Sequence, residues 1–179
     1  MEKTIASSNH RATKTRRITL LGLLFALAMV LSVLESLFPV PVPVPGVRLG
    51  LANIVVMFAL FHLQKSDALT LVILKAVFIA ATRGLIAGAL SLSGGLCALG
   101  VMVLILLMMK EKTTILLVSI LGAVFHNFGQ IAAASAIMET VLWIYLPTLI
   151  LSGIVTGFAT SVMLKMTSSA FQGLHLNKF

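Results

Sequence analysis

Acidic residues are almost missing from this chain of 179 residues: there are five, and the only aspartate is Asp67. Enzymes that condense prenyl diphosphates need aspartate-rich metal sites, and a single aspartate in a short turn cannot build one. Cysteine is also scarce. Cys97 stands alone, so no intrachain disulfide is possible, and it reads as a small core residue in an apolar run. No His/Cys set has the spacing of a zinc, haem or iron–sulfur site. No G-x-x-x-x-G-K-[ST] loop is present, so the chain does not hydrolyse ATP by that route. These absences predict a protein that is not an enzyme and carries no metal or other cofactor. Charge of either sign is thin, at 10% of residues, where soluble domains hold about 25%.

What is there is hydrophobic: 59% of residues, with a mean hydropathy of +1.12. This is the composition of an integral membrane protein in contact with lipid. A span takes about 20 apolar residues. The pattern predicts an all-α bundle of six transmembrane helices, over 18–38, 49–63, 68–90, 96–109, 113–137 and 147–165. Ser91–Gly95 reads as a tight turn between the third and fourth helices, and Lys110-Glu111-Lys112 as the next turn. Trp143 and Tyr145 read as interfacial anchors ahead of Pro147, which suits a first helical turn. Residues 1–17 form a basic cytoplasmic arm, disordered in part, 18–166 the membrane domain and 167–179 a polar cytoplasmic tail. The first apolar run is too long for a signal-peptide core, and no small-residue cleavage site follows it.

The formal charge of +8 is set by position, not by a nucleic-acid surface. With the amino terminus inside, Lys3, Arg11, Lys14, Arg16, Arg17, Lys65, Lys110, Lys112, Lys165 and Lys178 are cytoplasmic, and the outer connections hold only Arg48. Both termini are therefore assigned to the cytoplasmic side of the cell membrane.

Between the first two helices lies Pro39-Val-Pro-Val-Pro-Val-Pro-Gly46-Val-Arg48. Alternating prolines rule out helix and leave few backbone donors, so this strap is stiff and extended. It is either a stiff turn between spans or the lid and wall of a binding site, since irregular backbone near a membrane normally lines a cavity or is buried in protein. Polar side chains inside spans are costly and mark functional candidates. At 1.5 Å rise per residue, Arg48, Asn53, Arg83, His126, Asn127 and Gln130 fall at similar depth toward the outside, with Lys75 below them and Glu35 and Glu139 nearby. His126 and Gln130, four apart, share a helix face. Arg48, Lys75 and Arg83 favour an anionic or phosphate-bearing ligand. In the first helix, Gly22 and Ala26 are spaced by four, as are Ala28 and Ser32, so another helix can approach closely, within the protein or from a partner.

Three stretches carry a family resemblance: Leu49-Gly-Leu-Ala-Asn-Ile after the strap, Ser91-Leu-Ser-Gly-Gly95, and Gly122-Ala-Val-Phe-His-Asn-Phe-Gly-Gln130. Together they resemble the Gx transporter family, also catalogued as heptaprenyl diphosphate synthase component I, over roughly residues 18–166. That family is similar to the substrate-binding S components of energy-coupling factor (ECF) transporters. The resemblance implies an S-component-like bundle with an outward-opening pocket beneath the first loop. It also implies a first helix that docks an energising transmembrane subunit, and two cytoplasmic ATPases. The docking stripe Gly22, Ala26, Ala28 and Ser32 matches the family's alanine-rich motif only in part. A flavin, a quinone precursor or an isoprenoid-like anion would be the small-molecule substrate. Two other readings stay open: an accessory subunit of a redox or prenyl-lipid complex, and a proton-coupled carrier relaying through Glu35, Lys75, His126 or Glu139.

Overall fold

The computed structural model describes residues 2–37, 48, 50–109 and 113–173. The proline strap and the 110–112 turn lie outside the described residues. Six α-helices follow one another: α1 Glu2–Glu35, α2 Asn53–His62, α3 Lys65–Arg83, α4 Leu85–Met109, α5 Ile115–Met138 and α6 Leu146–Gly173. A 3-10 turn, Trp143–Tyr145, leads into α6. No strand occurs among the described residues.

Among the described residues, four stretches are long and apolar enough to cross a bilayer: Thr15–Glu35, Leu85–Met109, Ile115–Met138 and Trp143–Thr167. The protein is a multi-pass membrane protein. The other two helices differ in kind. α3 is 19 residues long and carries Lys65, Asp67, Lys75 and Arg83. α2 has only 10 residues, about 15 Å of helix, which is half a hydrocarbon core. Yet α2 is the most enclosed element, with Asn53 and every residue from Val55 to Leu60 buried. A helix apolar on all sides belongs in the middle of a bundle. Val55, Val56 and Met57 join Leu71 and Val72 of α3, Leu99 and Met102 of α4 and Val118 of α5 in the main core. Leu90, Ile131, Ala134, Leu142 and Leu149 form a second core toward one end.

Three helix boundaries differ from the sequence expectation. Ser91–Gly95 is not a turn but part of α4. Its glycines serve close packing: a Cβ on Gly94 would meet the His126 backbone oxygen at 2.8 Å, and one on Gly95 would meet Val72 at 2.7 Å. The chain breaks instead at Gly84, which caps α3 at φ +96°, a conformation that favours glycine. At the start, α1 begins at Glu2, so the backbone of the basic arm continues the first helix. That stretch contains no glycine or proline to stop it. At the end, α6 runs through the expected boundary to Gly173.

α5 and α6 meet along small residues. Gly153 lies against Val124 and Gly157 against Ile120, where a Cβ on Gly157 would come within 2.6 Å of the Ile120 Cα. Ser119 donates to the Gly157 carbonyl at 2.6 Å across this seam. At the opposite side of the bundle, Arg17 of α1 grips Asp67 of α3, with Nη2 to Oδ1 at 2.6 Å and Nε to Oδ2 at 2.9 Å. Asp67 also accepts the Gln64 backbone N–H at 3.2 Å and so caps α3.

Candidate functional site

The last carbonyls of a helix have no intrahelical donor and need one from elsewhere. At the end of α1, the Ser36 N–H turns to Val33 (3.0 Å), which leaves the Ser32 carbonyl to other donors. Two arginines take it. Arg48 Nη1 donates at 3.0 Å and Arg83 Nη2 at 2.8 Å. Arg83 Nη1 also reaches the Ser32 hydroxyl at 3.5 Å. Cations at a helix carboxyl end complement its partial negative charge. Burial, with Arg83 beside it, lowers the proton affinity of the Arg48 guanidinium, and Glu35 pulls the other way.

Glu35, one turn on, is 3% exposed. Its carboxylate accepts the backbone N–H of Gly50, and that of Leu51 at 3.3 Å. Gly50 is held at φ +87°, and a Cβ there would strike the His126 ring at 2.8 Å. The His126 ring is thus wedged between the Cα atoms of Gly50 and Gly94. Gln130, one helical turn away, ties it to the loop: Gln130 Oε1 accepts the Arg48 N–H at 3.0 Å and Gln130 Nε2 meets His126 Nε2 at 3.0 Å. In this amide orientation His126 Nε2 is the acceptor and the neutral ring carries its proton on Nδ1. Lys75, buried in mid-helix, donates to Asn53 Oδ1 at 2.9 Å.

One hollow is lined by Ser32, Glu35, Arg48, Lys75, Ser91 and His126, with Gln130, Gly50 and apolar Ala52, Ile79 and Ala87, and Arg83 and Asn53 bond its lining residues Ser32 and Lys75. It has room for about one water molecule. Among the described residues, Arg17–Asp67 is the only ion pair, so the cations at the hollow meet neutral oxygens. Arg48 Nε, Asn53 Nδ2 and Ser91 Oγ are buried and make no hydrogen bond.

The structure thus gathers Arg48, Asn53, Lys75, Arg83, His126 and Gln130 at one end of the bundle. Asn127 points elsewhere: its Nδ2 donates to the Leu149 carbonyl at 2.7 Å and approaches the Ser152 hydroxyl at 3.4 Å, both on α6. Glu139 is an exposed residue at the end of α5, outside the hollow. The α1 stripe divides. Gly22 and Ala26 are exposed, whereas Ala28 and Ser32 are buried against the bundle. Six residues separate Gly22 from Ala28, which turns them to different sides of the helix. Ser91 was read only as part of a turn. Its helical spacing to Gly94 and Gly95 is the signal that places it on the packed face.

The family described as heptaprenyl diphosphate synthase component I matches residues 24–167. The chain belongs to this family. The match spans all the helices that build the hollow, in agreement with the resemblance carried by the three sequence stretches. Comparison with curated proteins and with solved structures gave no match.

Proposed function

We propose that this chain is the substrate-binding component of an ECF-type importer and captures a small anionic or amphipathic molecule from outside the cell. The observation that carries the reading is that Arg48 and Lys75 line one hollow with a single carboxylate among the described residues, Glu35, while Arg83 bonds the Ser32 carbonyl of its wall. Buried charge of one sign in excess is costly without a counter-charge. An anionic ligand supplies that counter-charge, and Asn53, His126 and Gln130 supply directional hydrogen bonds. Ala52, Ile79 and Ala87 offer an apolar wall for the rest of the molecule. Flavin, quinone-precursor and isoprenoid-like anions all meet this description.

In this reading all six helices cross the cell membrane, with the short α2 continued by residues 50–52, and both termini are cytoplasmic. The hollow then faces the outside. The exposed small residues Gly22 and Ala26 face an energising membrane subunit, served by two cytoplasmic ATPases. The chain itself is not catalytic. A second reading, an accessory subunit of a prenyl-lipid or redox system, is favoured by the family's description and by the small size of the hollow.

The test is native mass spectrometry of the protein purified from its own membranes. An anionic small molecule should ride with the wild type and be lost from Arg48→Ala and Arg83→Ala while both variants still insert. Equal retention in both variants would remove the site. No bound molecule, together with tightly held synthase or redox subunits, would favour the accessory reading.

A further inference from the structure

Among the described residues, Glu35 is the only carboxylate at the hollow, and it forms an ion pair with none of the cations there. It is held instead by the N–H groups of Gly50 and Leu51. Successive backbone N–H groups around a left-handed residue form a concave anion seat, and Gly50 has that conformation. The cations meanwhile donate to neutral atoms: Arg48 and Arg83 to the Ser32 carbonyl, Lys75 to the Asn53 amide oxygen. Ser91, 5% exposed, lines the hollow with its hydroxyl unbonded, and Arg48, also in the lining, has its Nε buried and unbonded. With His126 neutral, Arg48 and Lys75 in the lining and Arg83 on its Ser32 wall together exceed Glu35 by two positive charges.

We propose that Glu35 is a built-in stand-in for the ligand's head group: a phosphate or carboxylate enters by displacing the Glu35 carboxylate from the Gly50 and Leu51 amides. This deepens, and rests on, the anion-binding reading above. The incoming group gains the two amides and the free donors of Arg48 and Ser91. Glu35 is the last residue of α1, so its release also cuts one tie between α1 and the start of α2. Binding an anion and loosening α1 from the loop are then one event. Without its competing charge, the seat takes an anion more tightly.

The experiment measures thermal unfolding of the full chain in phosphatidylcholine nanodiscs against pyrophosphate concentration, for wild type, Glu35→Gln and Glu35→Ala. Hydrogen bonds to charged groups are worth about 1.5–3 kcal/mol, so Glu35→Gln should bind pyrophosphate about tenfold or more tightly than wild type. Formate should stabilise Glu35→Ala, whose seat is open, and leave the wild type unchanged. If Glu35→Gln fails to insert, Glu35→Asp carries the test, since its shorter reach weakens the seat contact and should also tighten pyrophosphate binding. Equal or weaker pyrophosphate binding in these variants, with wild-type binding intact, overturns the displacement and leaves the anion site standing. No response of any form to pyrophosphate or formate overturns both. Repeating the titration in phosphatidylglycerol discs identifies the source of the anion. Weaker pyrophosphate binding there marks a lipid head group in the seat and equal binding a soluble ligand, and Glu35 is the displaced group in both.

Discussion

Arg48 and Arg83 end on the same atom, the Ser32 carbonyl oxygen, at 3.0 and 2.8 Å. One arginine comes from the loop before α2 and the other from the last turn of α3. The end of α1 is therefore fixed to two other elements through a single backbone group. Arg83→Gln should lower stability by about 1–2 kcal/mol, the scale of a hydrogen bond from a charged donor. Arg83→Lys should recover little, because one ammonium cannot reproduce a guanidinium that reaches both Ser32 oxygens. Thermal unfolding in detergent checks both, and full recovery by lysine would contradict the geometry.

Lys75 separates stability from binding. Replacing a buried charge by an apolar side chain of similar volume is often neutral or stabilising. Lys75→Met should leave the melting temperature unchanged or raise it by a few degrees, and abolish stabilisation by added pyrophosphate. A variant that still responds to pyrophosphate would show that Lys75 only supports Asn53.

The glycines make a graded series. Gly50→Ala places a Cβ 2.8 Å from the His126 ring at a positive φ and should cost about 1–3 kcal/mol. His126→Ala in the same chain removes the clash but not the backbone strain, so a double-mutant cycle should recover part of the loss. Gly22→Ala meets nothing within 4 Å and should be neutral or stabilising by up to about 1 kcal/mol. An equal cost at positions 50 and 22 would contradict the packing.

Between α1 and α3, Asp67 both pairs with Arg17 and caps α3. Asp67→Ala should therefore destabilise the protein more than Arg17→Ala. Half of this pair is exposed, so the loss in Arg17→Ala should shrink at high salt. Unfolding of both variants at low and high ionic strength tests this, and a larger loss in Arg17→Ala would reverse the assignment.

Helix number was legible because long apolar runs and proline have few meanings. The boundary between α3 and α4 was not, because Ser-Leu-Ser-Gly-Gly has the composition of a turn. Gly94 and Gly95 are there to let His126 and Val72 approach, and the break falls at Gly84, where only a positive φ matters. Arg48, Lys75, Arg83, His126 and Gln130 stood out as costly polar groups in or beside apolar runs. Their partners could not be read, since the Ser32 carbonyl and the Gly50 and Leu51 amides are backbone atoms that no side-chain pattern marks. Asn127 joins the site in the sequence by its depth and its spacing of three to Gln130, yet it lies about 100° from His126 around the helix, and its amide bonds α6 instead.

The central claim, a substrate-binding component of an importer, is tested most directly by its company in the membrane. The protein should be drawn from native membranes in mild detergent and its associates identified by mass spectrometry, with Gly22→Leu and Ala26→Leu as controls. The account predicts one energising membrane subunit and a pair of ATPases, lost in both variants. Prenyl-lipid or redox enzymes in their place, unaffected by the two variants, would contradict it.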